Sequence, residues 1–151
     1  MTRYQVDAGC PIIPFVDKPK ACNRCGRRLS GRRTQWCSSK CENEFRENHN
    51  WTSARHAAKD RDGYRCVRCG SDGRARVFIA GSVIEIGMPS RGPERYERRL
   101  EVNHITPREG QGYGWGCAHH LDGLETLCRH HHQIETNKQA ARRRQREAVA
   151  S

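Results

Sequence analysis

The sequence has few apolar residues and fewer aromatics, 34% and 7% of 151 positions. A chain of this length suits one ordinary domain or two small ones, and so low an apolar fraction does not supply a generous core. Long hydrophobic runs are missing too. Stretches such as Val77-Phe78-Ile79-Ala80 are only a few residues long, which excludes a membrane-spanning helix. The opening residues, Met1 to Asp7, lack the basic start and apolar stretch of a secretory signal. Acidic residues are scarce as well: 17 stand against 28 lysines and arginines, a formal charge of +11.

Cysteine is what the chain does have, with nine of them. Without a secretory signal the expected setting is a reducing one, the cytoplasm. There, closely paired cysteines serve as zinc ligands more often than as disulfides. Metal then replaces the missing core as the staple. A Zn(Cys)₄ site contributes about −2 and a Zn(Cys)₃His site about −1, so the formal +11 falls to roughly +8. The surface stays basic, which predicts a polyanionic partner bound through counterion release, without sequence preference. Few aromatic stacking platforms make RNA a weaker expectation than duplex DNA.

Along the chain, residues 1–20 hold three prolines among apolar residues and read as an extended arm. Residues 21–47 carry Cys22-Asn23-Arg24-Cys25-Gly26 and then Cys37 and Cys41, two close pairs resembling the small Cys₄ fingers of the treble-clef or zinc-ribbon kind. The glycine after Cys25 suits the tight turn of a zinc knuckle, and Cys41 sits where a helix would open. Stabilisation alone, or docking to DNA or protein, are both open roles for this finger. From about Glu42 to Asp62 the pattern suits a helix with Trp51, Ala54, Ala57 and Ala58 on its buried stripe, ending at Asp62-Gly63. A second knuckle follows at Cys66-Val67-Arg68-Cys69-Gly70. Two β-prone runs, Arg74 to Ala80 and Ser82 to Ile86, then flank Gly81 as a hairpin or two short strands. Residues 87–99 read as an exposed connection.

The run from Leu100 to Pro107 alternates like a strand and delivers Asn103-His104 at its end. After a glycine-rich loop the chain continues His119-His120-Leu121-Asp122-Gly123-Leu124-Glu125-Thr126-Leu127-Cys128-Arg129-His130-His131-His132, then a basic helix to about Ala148. With Cys66 and Cys69, this order resembles the zinc-containing HNH (ββα-metal) endonucleases. Their pattern is Cys-x-x-Cys, then Asp-His-Ile-x-Pro, then Asn-Leu-x-x-Leu-Cys-x-x-Cys-His. The resemblance runs from Trp51 to Gln139 and makes residues 51–148 the expected nuclease domain, in a small metal-stapled α+β fold.

The resemblance implies a structural zinc at Cys66, Cys69, Cys128 and His131, the last standing where the family has a fourth cysteine; His130 is the alternative ligand. It implies His104 as the general base and Asn103 and His132 as ligands of a catalytic Mg²⁺, Mn²⁺ or Ni²⁺. Asn103 replaces the commoner Asp. The family's central Asn, which orients the base, falls on Gly123, so Asp122 or His120 (or His119) is left for that role. On their own, His119 and His120 read as exposed loop residues, and Cys10 and Cys117 as spare thiols. Trp115 is either a packing plug or a wedge against DNA. Arg142, Arg143, Arg144 and Arg146 lie on the helix face that meets the nucleic-acid backbone in the family. Two functions follow as expectations: a DNA-cutting or DNA-nicking enzyme, or a two-zinc DNA-binding or assembly protein of the same fold that has lost the reaction.

Overall fold

A computed structural model describes residue 10 and residues 12–73, 75–86, 100–108 and 114–149. The connection at 87–99 and the start of the glycine-rich loop therefore lie outside the described residues, as do residues 1–9 of the arm. The fold is a small α+β arrangement. Helix α1 spans Ser39–His49 and α2 Trp51–Arg61; strands β1 (Ala75–Ile79) and β2 (Ser82–Ile86) follow, then β3 (Leu100–His104), β4 (Leu124–Cys128) and the long helix α3 (Arg129–Val149). Among the described residues there are two two-stranded sheets, β1 with β2 and β3 with β4. Among the described residues no helix is long and apolar enough to cross a membrane.

The chain packs as two compact units, each assembled from separate stretches. One holds the residues up to Ala58 together with His104–Leu124, the other Lys59–Asn103 with the chain from Glu125 onward.

In the first unit the single helix expected from Glu42 to Asp62 is two. Asn50 breaks it by taking an extended backbone conformation (φ −106°, ψ 121°). Its N–H still donates to Arg46 O (2.8 Å), closing α1, while its side-chain oxygen accepts from Ser53 N (3.1 Å) at the start of α2. One residue thus caps both helices, which asparagine does well because its short amide can satisfy an orphan donor. At the other end of α1, Ser38 Oγ accepts from Cys41 N (3.3 Å). The core of this unit is aromatic. Phe45 is fully buried, with the rings of Phe15, Trp36, His49 and Trp115 at centroid distances of 5.7, 5.2, 4.4 and 6.3 Å. Trp115 is therefore a packing plug. Its segment is pinned by Trp51 N to Gly114 O and Gly116 N to His49 O, both 2.8 Å, and Leu121 N donates to Asn48 Oδ1 (3.0 Å).

In the second unit β1 and β2 pair antiparallel, Ala75 opposite Ile86 and Ile79 opposite Ser82. The two linking residues, Ala80 and Gly81, both have positive φ (49° and 81°), as a two-residue hairpin matched to strand twist requires. The buried cluster is small: Cys66, Leu100 and Leu127, with Tyr64 and Cys128 packed against it. Polar contacts supplement it. Asp62 Oδ2 accepts from Thr126 N (3.0 Å), and Thr126 O accepts from Val67 N (3.0 Å), fixing β4 against the second knuckle.

Candidate metal centres and catalytic residues

Among the described residues three groups of side chains place four ligand atoms within 4.8 Å of one another: Cys22, Cys25, Cys37 and Cys41; Cys66, Cys69, Cys128 and His131; and Cys10, His49, Cys117 and His120. Each could hold a metal ion, and donor sets of thiolate and imidazole suit zinc.

The first two groups are built alike. In each, the glycine after the knuckle has a left-handed backbone, Gly26 at φ 74° and Gly70 at φ 70°. That conformation lets its N–H return to the carbonyl of the first cysteine, Gly26 N to Cys22 O at 2.9 Å and Gly70 N to Cys66 O at 2.7 Å. Burial resists ionisation of Cys22, yet the backbone N–H groups of Cys25, Cys37 and Arg24 bring its thiol down to about 6. Cys66 behaves the same way: burial opposes, the N–H groups of Cys128, Arg68 and Cys69 prevail, and its thiol also comes down to about 6. One thiolate then discourages the next. Cys41 is pushed up to about 12, by burial first and then by Cys37. A divalent cation removes that conflict, since all four sulfurs can be anionic around it.

His131, and not His130, joins the second group. Its Nδ1 lies 3.3 Å from Cys128 Sγ and 3.6 Å from Cys66 Sγ, whereas His130 is exposed. The third group is the one sequence reasoning missed. Cys10 is 3% exposed and His120 8%, so neither a spare thiol nor an exposed loop histidine describes them. Cys117, also read as a spare thiol, is the fourth member. The signal available was the Cys117-x-x-His120 spacing, a knuckle with one imidazole. His120 Nε2 faces Cys10 Sγ (3.2 Å) and His49 Nε2 (3.4 Å).

His119 makes the contact to the expected base instead. Its Nδ1 is 3.1 Å from His104 Nε2, and at 1% exposure it is buried. Trp51 stacks on the His104 ring, centroids 4.8 Å apart and planes 20° apart. Burial first, then the charges of Arg108 and His119, hold His104 down to about 4. Burial and Arg108 do the same to His119. Both imidazoles are neutral near pH 7. Asp122, the other orienting candidate, is exposed.

In the second unit, Asn103 and His132 each have a partner that fixes which atom is left for a ligand. Asn103 is buried, and its Nδ2 donates to Glu125 Oε1 (3.1 Å). A carboxylate only accepts, so the amide nitrogen faces Glu125 and Oδ1 is the end that can bind a cation. Arg68 braces the same carboxylate, its Nη2 donating at 3.0 and 3.3 Å and its Nε at 3.2 Å. His132 Nδ1 lies 2.9 Å from Glu101 Oε2, which places its lone pair on Nε2, the pairing that orients metal-bound histidines. Arg142, Arg143, Arg144 and Arg146 are exposed on α3.

Comparison of the chain with models of known families, with curated proteins and with solved structures finds no match. The arrangement of its own residues is therefore what bears on function.

Proposed function

We propose that this protein is a metal-dependent endonuclease of the HNH (ββα-metal) type that nicks or cuts DNA. The observation that carries the reading is the preparation of two consecutive residues of β3: Asn103, its amide turned by Glu125 to offer oxygen, and His104, neutral and held by His119 and Trp51. The succession β3, β4, α3, with a thiolate and imidazole group at the β4 to α3 junction, supports the same family.

His104 accepts a proton from water as the water oxygen bonds to phosphorus and the bond to the 3′ oxygen breaks. The products carry 3′-hydroxyl and 5′-phosphate ends. If His104 Nε2–H donates to His119, its basic lone pair is on Nδ1 and the ring is prevented from turning. Asn103 Oδ1 and His132 Nε2 are the atoms that would hold the catalytic Mg²⁺, Mn²⁺ or Ni²⁺. Bound there, the ion supplies charge neutralisation at the phosphate and leaving oxygen. An amide in place of a carboxylate removes a negative charge and weakens the hold on such a cation. Zinc at Cys66, Cys69, Cys128 and His131 keeps the β4 to α3 junction in place, and zinc at Cys22, Cys25, Cys37 and Cys41 does the same for the N-terminal finger. The basic surface binds duplex DNA.

A second reading rests on Gly123, which has no side chain to serve as the family's orienting Asn: a zinc-stapled DNA-binding or assembly protein without turnover. Supercoiled plasmid incubated with the purified protein and Mg²⁺, Mn²⁺ or Ni²⁺ separates the two. Nicking that His104→Ala abolishes supports the enzyme; no nicking with any of the ions supports the binding protein, and equal nicking by His104→Ala would overturn the role given to His104.

A further inference from the structure

We infer that Cys10, His49, Cys117 and His120 form a third zinc site, a closed Cys₂His₂ centre that ties the N-terminal arm to the end of α1 and to the segment carrying His119. All four belong to the same compact unit. Their donor atoms lie within 4.8 Å of one another, and the site is sequestered, with Cys10, His49 and His120 buried.

The spacing is that of a coordination shell. Zinc to nitrogen bonds of about 2.0–2.1 Å and zinc to sulfur bonds of about 2.3 Å, arranged tetrahedrally, put nitrogens about 3.3 Å apart and sulfur about 3.6 Å from nitrogen. His49 Nε2 and His120 Nε2 are 3.4 Å apart, and Cys10 Sγ is 3.4 Å from the first and 3.2 Å from the second. Hydrogen bonding alone does not account for this triangle. His49 Nδ1 lies 3.0 Å from Phe45 O, and since a carbonyl only accepts, the ring proton is on Nδ1 and Nε2 presents a lone pair. The Cys10 thiol and His120 bring at most two protons to three close contacts, so one contact opposes lone pair to lone pair. A cation at the centre satisfies all three and the Cys117 sulfur as well. Ile13 N donates to Cys10 Sγ (3.3 Å), the kind of contact that supports a thiolate ligand.

Four protein ligands leave no open position, so the site is structural. Its donors come from places far apart in sequence, and two of them bracket His119, which contacts His104. The metal thus fixes the short segment between Cys117 and His120, and with it the direction of the His119 ring. This inference does not depend on the nuclease reading.

Metal analysis of the full chain, purified without chelator, tests it. Three zinc ions per chain are expected, falling to two in Cys10→Ser and in Cys117→Ser. Replacing zinc by ¹¹³Cd in the wild-type chain gives three resonances, one of them shifted as for two thiolates rather than three or four, and this readout stands even if the serine variants fail to fold. Two zinc ions in the wild type, a third ion that persists in both variants, or only the two thiolate-rich cadmium resonances would overturn the proposal.

Discussion

His104 Nε2 and His119 Nδ1 meet at 3.1 Å beneath the stacked ring of Trp51. Two neutral imidazoles share one proton across such a contact, so His119 sets the tautomer of His104. On the proposed nuclease reading His119 is a positioning residue, and its loss should cost less than loss of His104. His104→Ala is expected to lower metal-dependent nicking by about 10²- to 10⁴-fold, the range of general acid–base contributions. His119→Ala is expected to lower it roughly 10-fold, as removal of an outer partner does. In His119→Asn the amide oxygen can stand in for Nδ1 and recover part of the rate. Zinc content measured on each variant shows that the neighbouring His120 still holds its place. Equal losses in His119→Ala and His119→Asn would mean that the contact only packs.

Gly123 is where the chain departs from the family pattern, and nothing about its backbone demands glycine. Its φ is not in the left-handed region, and a Cβ built there meets no atom within 4 Å. The backbone contacts on either side, Gly123 N to His120 O and Ile105 N to Gly123 O, both 3.0 Å, survive a side chain. Gly123→Asn is therefore expected to fold with stability changed by no more than about 0.5 kcal/mol. On the proposed nuclease reading, an amide at this position, as in the HNH pattern, should raise nicking several-fold. A stable variant with reduced nicking would show that His119 has taken over the role and that the added amide competes with it.

Asp62 accepts from Thr126 N and from Arg61 at 2.8 and 3.0 Å. Burial raises the pKa of this carboxyl, but the Arg61 and Thr126 hydrogen bonds prevail and hold it below its usual value. A depressed folded-state pKa contributes stability that is fully present above the unfolded value, about 3.9, and is lost as pH falls through the folded one. Asp62→Asn should thus be less stable than wild type by about 1–2 kcal/mol, constant between pH 7 and pH 5. Urea titrations at both pH values check this. A gap that closes between pH 7 and pH 5 would contradict the assignment.

How far the sequence discloses this arrangement depends on how local each signal is. Cys22, Cys25, Cys37 and Cys41 are readable because a knuckle needs only a few residues and a glycine, and Ser38 before the helix is an ordinary cap. The hairpin around Gly81 is readable from its β-prone flanks. The Asn50 break is not, because helix-compatible residues lie on both sides and the deciding contacts come from the 114–116 segment. Cys10, His49, Cys117 and His120 are harder still: only the last two are near neighbours, and chain folding must bring Cys10 and His49 to them. His119 and His120 look alike in the sequence, yet one faces His104 and the other Cys10. That difference arises from the tight turn containing them, which sends consecutive side chains different ways.

Removing metal should unfold both units, because neither has much apolar core in reserve. The second unit's cluster comprises Cys66, Leu100 and Leu127, and Cys66 also belongs to a group that could hold a metal. In domains so small, binding free energy of the metal is folding free energy. A strong chelator at pH 7 is expected to abolish the cooperative thermal transition seen by circular dichroism. Zinc should restore it and Mg²⁺ should not, since Mg²⁺ prefers oxygen ligands. A chelated protein that still melted cooperatively would show that packing alone sustains the fold.

On the proposed reading, the exposed arginines of α3 offer a test of how DNA would be held. At 3.6 residues per turn, Arg142 and Arg146 share one face, and with Gln145 and Val149 they line an open groove; Arg144 points about half a turn away. Arg143 is paired with Glu147 at 2.9 Å, an exposed contact too weak to hold it from a phosphate. If DNA lies against the Arg142 and Arg146 face, each neutralised phosphate contributes about 0.9 to the slope of log affinity against log salt concentration. Arg142→Ala with Arg146→Ala should then lower the slope by about 2, while Arg144→Ala leaves it nearly unchanged. Equal effects at all three positions would mean that the helix acts through its overall charge and has no docked face. Because these residues lie at the C-terminal end of α3, away from the ligands at its start, the binding loss should leave zinc content at the wild-type level.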